Sequence, residues 1–438
     1  MRIVQFSPCS GDDIYCENCL RDAVLVRKLR KLGHDVLMVP LYLPLSIDKE
    51  EQVSNAPIFF GGINVYLQQK TALFRKTPRW IDRLFDRPKL LGWISHSSKM
   101  VNAKVLGQTT ISMLQGEDGR QVKELERLVE WLNAKENKPD VVCLSNALLA
   151  GMAGRLKQAI GVPVVCFLQD EDKFLDELVQ PYAQEAWEIL CDCARNIDSF
   201  IAASNHYADI MEKRLEIEAN KLHVVYPGIA PEEYTPAAGK PSVPTVGFLS
   251  QMCSDKGLDV LVEAFSIIKK NEKLENARLC IAGEQGREDR AFIKKIRQQL
   301  SNSGIINDVE IISNLSQKEK IEFLQKLSVL SVPEKVQSAY ALYILEALAA
   351  GVPVVEPGTD IFNELLGQTG GGLLYKPNKA GKLAETIEKL LLDADYAEKL
   401  GGEGRRAVVE KFNIDKTAEE TARIFIEAVK NFGEKHYA

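Results

Sequence analysis

Two stretches of this chain carry residue types and spacings suited to a phosphorylated ligand. In the first, Lys256 and Gly257 stand between an apolar run, Thr245 to Leu249, and a segment with apolar residues at helical spacing, Leu258 to Lys270. The lysine offers a positive charge to a pyrophosphate, and a glycine beside it lets the backbone approach closely. The second is SVPEKVQSAYALYILEALAAGVPVVEP, Ser331 to Pro357. Here a short apolar run closed by Pro333 leads through the loop Glu334 to Ala341 into helical spacing over Leu342 to Ala350. Gly351 stops that helix before a second apolar run, Pro353 to Val355. Strand, loop, helix and strand in this order fit a parallel sheet, in which ligands sit outside the carboxyl ends of the strands. Around Ala341 and Leu342 the first-turn N–H groups and the positive end of the helix dipole suit a phosphate. Glu346, about a turn further on, can reach a hydroxyl beside it. The pattern is that of a nucleotide site.

The elements that would position these residues repeat along the chain. Arg2 to Phe6 reads as a strand, Ser7 to Asn18 as a loop, Cys19 to Leu32 as a helix stopped by Gly33, and Asp35 to Val39 as the next strand. From Val122 the alternation is regular: a helix to Asn133, strand Asp140 to Leu144, helix Leu148 to Ile160, strand Pro163 to Leu168, a helix over Ala183 to Ala194, then strands Ser199 to Ala203 and His223 to Tyr226. Pro227, Pro231, Pro236, Pro241 and Pro244 read as a linker. Beyond it, strands at Thr245 to Leu249, Ala277 to Ala282, Val309 to Ile312 and Ser328 to Val332 alternate with helices at Asp289 to Leu300 and Gln317 to Leu327. Two such runs predict an α/β protein of two facing, Rossmann-like, doubly wound domains with a cleft between them. Their expected bounds are 1–235 and 236–414, with a last amphipathic helix, Asp415 to Phe432, in 415–438. At 438 residues each domain can bury its own core.

Composition narrows the function classes. With 45% hydrophobic and 26% charged residues the chain reads as soluble and globular, and a net charge of -6 argues against a general nucleic-acid binder. No apolar run approaches the ~18 residues of a membrane span, and the opening MRIVQFSP has no signal-peptide character, so the expected compartment is the cytoplasm. Nine cysteines, an odd number, include Cys143, Cys166 and Cys280 in apolar strands, where a reduced thiol behaves as a small hydrophobe. Cys9, Cys16 and Cys19 have no fourth ligand at finger spacing, so no metal is expected there.

Other residues at strand ends belong to the first domain. Gly11 lies in the loop after the first strand, Asn146 follows the strand ending at Leu144, and Asp170, Glu171 and Asp172 follow the strand ending at Leu168. Carboxylates so placed can bind sugar hydroxyls, act as a base, hold a metal or simply favour a helix start, and hydroxyl binding by Asp170 and Asp172 is the leading reading. Phe74 to Trp93 interleaves six Arg and Lys residues with aromatic and leucine side chains. It reads first as a helical lid on its own domain, and second as a segment for an anionic membrane surface.

The loop at 334–341, the Leu-Glu-Ala turn and the Gly-Val-Pro-Val-Val after it resemble the donor-site motif of retaining, family-four, GT-B glycosyltransferases, which reads Glu, seven residues, Glu. Glu346 fits the second position. The run IYCENCLRD, with LMVPLYLPL and FFGGINVYLQQK after it, resembles the amino-terminal half of one bacterial branch of that family, and Tyr226-Pro-Gly-Ile resembles its turn before the hinge. The resemblance covers nearly the whole chain. It implies transfer of a sugar from a nucleotide diphosphate sugar, with retention and with no prosthetic group or catalytic metal, to a carbohydrate or lipid-linked acceptor. Lys256 and the helix start would stabilise the diphosphate, Glu346 would orient the ribose, Ser313 to Ser316 would hold the base through backbone groups, and Glu364 would close the donor pocket. The last helix would cross back onto the first domain.

Three departures from the motif fall on the donor. Gln251 stands where the family has Arg, Ser338 occupies the first Glu position, and Ala339-Tyr340-Ala341 replaces Gly-Phe-Gly or Lys-Gly. A charge-assisted hydrogen bond is worth roughly 1.5 to 3 kcal/mol, so donor turnover weaker than in motif-complete relatives is expected, down to a degenerate protein that serves a partner. Glu334, Lys335 and Gln337 read as solvated loop charges. A shifted loop would instead bring Glu334 or Gln337 to the sugar and Lys335 to the phosphates. A nicotinamide dehydrogenase would need G-x-G-x-x-G after a strand, and neither domain opens that way. A binding protein without catalysis is the other class left by fold alone.

Overall fold

The computed structural model describes residues 1–8, 17–41, 59–60, 68–69, 103–237, 239, 241–286, 289–336 and 338–437. Gly11, Cys9, Cys16, Gln337 and the basic stretch Phe74 to Trp93 lie outside them. The chain divides into unit 1, Met1–Tyr226 with Thr417–Ala438, and unit 2, Pro227–Lys416.

In unit 1, strands β1 (Arg2–Pro8), β2 (Asp35–Leu41), β3 (Val141–Leu144), β4 (Val164–Leu168), β5 (Ser199–Ala202) and β6 (Leu222–Val224) form a parallel sheet in the order β2-β1-β3-β4-β5-β6. Register is set by pairs such as Val4 with Leu37 on one side and with Val142 on the other. Continuous apolar strands such as Val-Val-Cys-Leu and Val-Val-Cys-Phe-Leu are wholly buried, as a sheet covered on both faces requires. Helix α1 (Glu17–Lys31) joins β1 to β2. Its Ala23, Val26 and Leu29 pack with Ile3, Val36 and Met38, and with Ala418, Ala422 and Phe425 of the last helix. The short helix α2 (Glu171–Asp176) begins just past β4. Helix α3 (Asn205–Leu215) comes after β5, and its start is capped by the Ser204 hydroxyl accepting from Tyr207 N.

In unit 2, β7 (Thr245–Leu249), β8 (Arg278–Gly283), β9 (Val309–Ser313), β10 (Val329–Leu330), β11 (Val354–Pro357) and β12 (Gly372–Tyr375) form a second parallel sheet, in the order β12-β11-β10-β7-β8-β9. Two separate six-stranded sheets thus stand where two alternating patterns were read. Helix α4 (Leu258–Ile268) follows β7, α5 (Gln317–Leu324) follows β9, and α6 (Leu342–Ala349) follows β10. A capping box of Ser316 and Glu319 starts α5. From Tyr343 to Ala349 every residue of α6 is buried, so this short helix is a core element and a carboxylate on it has to find partners. The last helix, α7 (Ile414–Tyr437), belongs to unit 1 from Thr417 onwards. Among the described residues no helix is long and apolar enough to cross a membrane.

Two elements differ from the sequence reading. The strand expected over Ser328 to Val332 is only Val329–Leu330, because Val332 N donates to the Glu356 side chain at 3.2 Å and leaves the ladder. The helix expected from Leu148 begins as a tight 3-10 turn over Ala147–Met152 and becomes α-helical at Ala153. Gly151 in that turn lies against the Met113 carbonyl, where an added Cβ would stand 2.4 Å away.

Candidate functional site

The β7–α4 loop and the β10–α6 loop of unit 2 meet because β7 and β10 are neighbours in the sheet. Gly257, at φ +71°, turns the first loop into α4, and a Cβ on it would lie 2.0 Å from the Pro333 carbonyl oxygen. This glycine permits a close approach to the other loop's backbone. Lys335 completes the junction. Its N–H donates to Asp255 O at 2.8 Å, and its ammonium bonds Asp259 at 2.6 Å and Ser254 at 3.2 Å. It does not join Lys256.

Lys256 points at the second loop. Its Nζ donates to Glu334 Oε1 at 2.7 Å and to Ser338 Oγ at 2.6 Å. Ser338 in turn donates to Glu334 Oε2 from its N–H at 3.1 Å and from its hydroxyl at 3.0 Å. Glu334 is only 2% exposed, which overturns its reading as a solvated loop charge. An ammonium, an amide and a hydroxyl together offset the cost of burying that carboxylate. Asn378 holds the same turn by donating to Glu334 O at 3.0 Å. A carboxylate, that of Glu334, thus stands in direct contact with Ser338. Next to this cluster Glu356 is fully buried, and burial pushes its carboxyl well above the ordinary range. The Glu334 charge adds to that push and Lys256 opposes it.

Glu346 is buried in α6, and its side-chain hydrogen bonds among the described residues fall on Oε1: Tyr234 OH donates at 2.7 Å and the Lys320 ammonium of α5 forms an ion pair. Tyr234 is held by Gln317 Nε2, which donates to its hydroxyl at 3.1 Å, and by Arg405, which donates to its carbonyl at 2.7 Å. Burial and then the Glu346 charge push the Tyr234 phenol up, so it keeps its proton and acts as a donor. Sequence reasoning found neither Tyr234 nor Lys320. Tyr234 sat in what read as a linker, and nothing local distinguishes Lys320 from solvated helix lysines. A Tyr234→Phe variant is expected to lose roughly 1 kcal/mol of stability, the worth of one hydrogen bond to Glu346, as read by denaturant titration.

Gln251 donates to Asp289 Oδ2 at 3.2 Å, an oxygen that also accepts from Gly286 N at 2.9 Å. Ala341 precedes α6 with no side-chain cap, and Leu342 opens that helix. Glu364 is inside the helix Asp360–Thr369, after the fully buried Phe362. In unit 1, Asn146 caps its own turn by accepting from Leu148 N at 3.1 Å. Asp170, at φ +58°, pairs with Lys173 at 3.1 Å, and Asp172 is bonded to Tyr207. Glu171 differs from its neighbours. It is 2% exposed, and its carboxylate holds two strand ends together by accepting from Ala147 N and Gln169 N.

Comparison with known proteins bears on this arrangement. Residues 232–407 match the family model described as Glycosyl transferases group 1, and residues 113–233 match Glycosyltransferase Family 4. The MMP alpha-(1->4)-mannosyltransferase of Mycolicibacterium hassiacum is 23% identical over 237 residues, 54% of this chain and 56% of that protein. The GDP-mannose-dependent alpha-(1-6)-phosphatidylinositol monomannoside mannosyltransferase of Mycobacterium tuberculosis is 26% identical over 185 residues, 41% of this chain and 46% of that one. The chain spans about half the length of these curated relatives. Among solved structures, Anabaena HepE in complex with UDP is similar over 98% of this chain and 100% of its own, with a TM-score of 0.72 at 14% identity.

Proposed function

Because the chain belongs to the family-four glycosyltransferases and has their GT-B fold, we propose that it moves a sugar from a nucleotide diphosphate sugar to a hydroxyl acceptor, with retention. The observation that carries this reading is the Lys256, Glu334 and Ser338 cluster at the carboxyl ends of β7 and β10, which keeps a cation and a carboxylate together where the motif is incomplete. The HepE structure holds UDP, and one relative is named for GDP-mannose, which supports a nucleotide-sugar donor.

In this reading Lys256 and the start of α6 stabilise the negative charge that develops on the departing diphosphate. Glu334, buried behind the loop, fixes the Lys256 ammonium and the Ser338 hydroxyl at the donor end of the sheet. Glu346, pinned through Oε1 by Tyr234 and Lys320, offers its other oxygen to the ribose. Asp170 and Asp172 of unit 1 serve a carbohydrate or lipid-linked acceptor, for which the 74–93 segment would supply contact with an anionic membrane surface. A second reading, a degenerate enzyme that binds without turning over, draws on one observation: Gln251 is tied to Asp289 and brings no charge to the diphosphate.

A panel of nucleotide sugars, assayed for nucleotide release with and without acceptors, tests the proposal. Release of a nucleoside diphosphate by the wild type is the expected result, and binding with no release from any donor defeats it. Restoring the motif also separates the two readings. With Glu334 in place, Ser338→Glu sets a second carboxylate against the first. It is expected to lower kcat/KM by about 10-fold or more, whereas in a degenerate protein it raises activity. A Glu334→Ser, Ser338→Glu exchange should recover most of the loss.

A further inference from the structure

Tyr207 of α3 sets one phenolic oxygen between two carboxyl groups of α2. Its Oη lies 2.8 Å from Glu171 Oε2 and 3.0 Å from Asp172 Oδ1. A phenol has one hydrogen and can satisfy one of these contacts, so the other lacks a hydrogen unless a carboxyl group supplies it. The groups cannot easily part. Glu171 is anchored by Ala147 N at 2.8 Å and Gln169 N at 2.6 Å, while Tyr207 is 1% exposed and its N–H is held by Ser204 Oγ at 3.1 Å. Asp172 N also approaches the phenolic oxygen, at 3.4 Å, which keeps Asp172 beside it.

We infer that Glu171 and Asp172 share one acid proton through the Tyr207 phenol. In one form Glu171 is the acid and donates to Tyr207 Oη, and the phenol donates to Asp172. In the other the phenol donates to Glu171, and Asp172 is the acid that donates to Oη. One hydrogen moves along each of the two hydrogen bonds to convert the forms, and the charge of the trio is -1 in both. Asp172, half-buried at the edge of the trio, can therefore present either an anion or an acid to a hydroxyl without a change in net charge. That consequence for transfer rests on the reading of unit 1 as the acceptor side, whereas the sharing itself does not.

The surroundings agree. Burial pushes the Glu171 carboxyl up to about 7, with its amide and phenol hydrogen bonds opposing the rise. Burial and then the Glu171 charge push the phenol up, so Tyr207 keeps its own hydrogen. Asp170 and Lys173 on the same helix satisfy each other, and Trp187 bonds Asp176. Arg214 of α3 forks onto Asp176 and also feels Asp172. The Cys166 thiol of β4, raised by burial and by Glu171, stays neutral. Burial of Glu171 thus favours keeping one acid proton in the trio.

The test is a carboxyl NMR titration of the full chain, labelled with carbon-13 in Glu and Asp side chains, between about pH 5 and 9. In the wild type, a Glu resonance with its midpoint near 7 and an Asp172 resonance that shifts at the same midpoint are expected. Glu171→Gln removes the Glu midpoint and leaves Asp172 flat across it. Tyr207→Phe uncouples the two, so Asp172 no longer responds. The inference is overturned if no Glu carboxyl of the wild type titrates above about pH 6, or if Asp172 responds equally with Phe at 207. Should the Phe variant fail to fold, the wild-type curve and the Glu171→Gln curve decide alone. None of these readouts needs donor turnover, so a failed glycosyl-transfer assay and a failed titration are separate results.

Discussion

A Lys256→Met variant is expected to lose activity and stability together, and a Lys256→Met, Glu334→Gln double variant to regain the stability alone. The single change leaves the Glu334 carboxylate buried without its cation. Breaking a buried pair from one side costs roughly 3 to 5 kcal/mol, and the partial exposure of Lys256, 23% for its side chain, places the expected cost at about 3. Glutamine at 334 removes the stranded charge, so the double variant should unfold within about 1 kcal/mol of the wild type in a denaturant titration. Activity follows the other member. With no ammonium left to meet the diphosphate, nucleotide release should fall about 100- to 1,000-fold in both variants. A double variant that regains activity as well as stability would show that Lys256 serves only to solvate Glu334, and the donor-site role would have to be given up.

Gly257→Ala should be among the most damaging single substitutions in unit 2. Two costs coincide at this position: φ is +71°, and the new Cβ would meet the Pro333 carbonyl oxygen at 2.0 Å. The left-handed backbone alone costs about 1 kcal/mol for alanine, and an unrelieved overlap with backbone adds roughly 1 to 3 more. For a unit of this size that predicts a Tm lower by roughly 5 to 15 °C. Gly304 supplies the control, because it has φ +70° in the same unit and nothing within 4 Å of an added Cβ. Gly304→Ala should show the backbone cost only. Equal losses at the two positions would mean that the loops separate freely. If instead Gly257→Ala is the worse and also weakens nucleotide binding, the contact with Pro333 is what holds Glu334 and Ser338 in reach of Lys256.

Local pattern was enough for the architecture. Apolar runs of four to six residues, helical spacing between them and glycine or proline at the joints are short-range signals, and they placed both sheets to within a few residues at most strands. Lys256 and Glu346 were singled out as candidates for the same reason, since each stands at a fixed step from a strand end or a helix start. The partners of these residues were not legible. Glu334 is 78 positions from Lys256 and Tyr234 is 112 from Glu346, and they meet because β7 lies beside β10 and because Tyr234 packs against α6, neither of which has a local signature. Burial was equally hidden. A glutamate just past a strand end, such as Glu334 or Glu171, has one composition whether water or protein surrounds it, and only the strand order determines which amides, hydroxyls and cations close over it. The sequence therefore names the strands and the ends where chemistry can occur. The tertiary structure alone decides which charges there are paired, which are buried, and that the Glu334 carboxylate lies against Ser338.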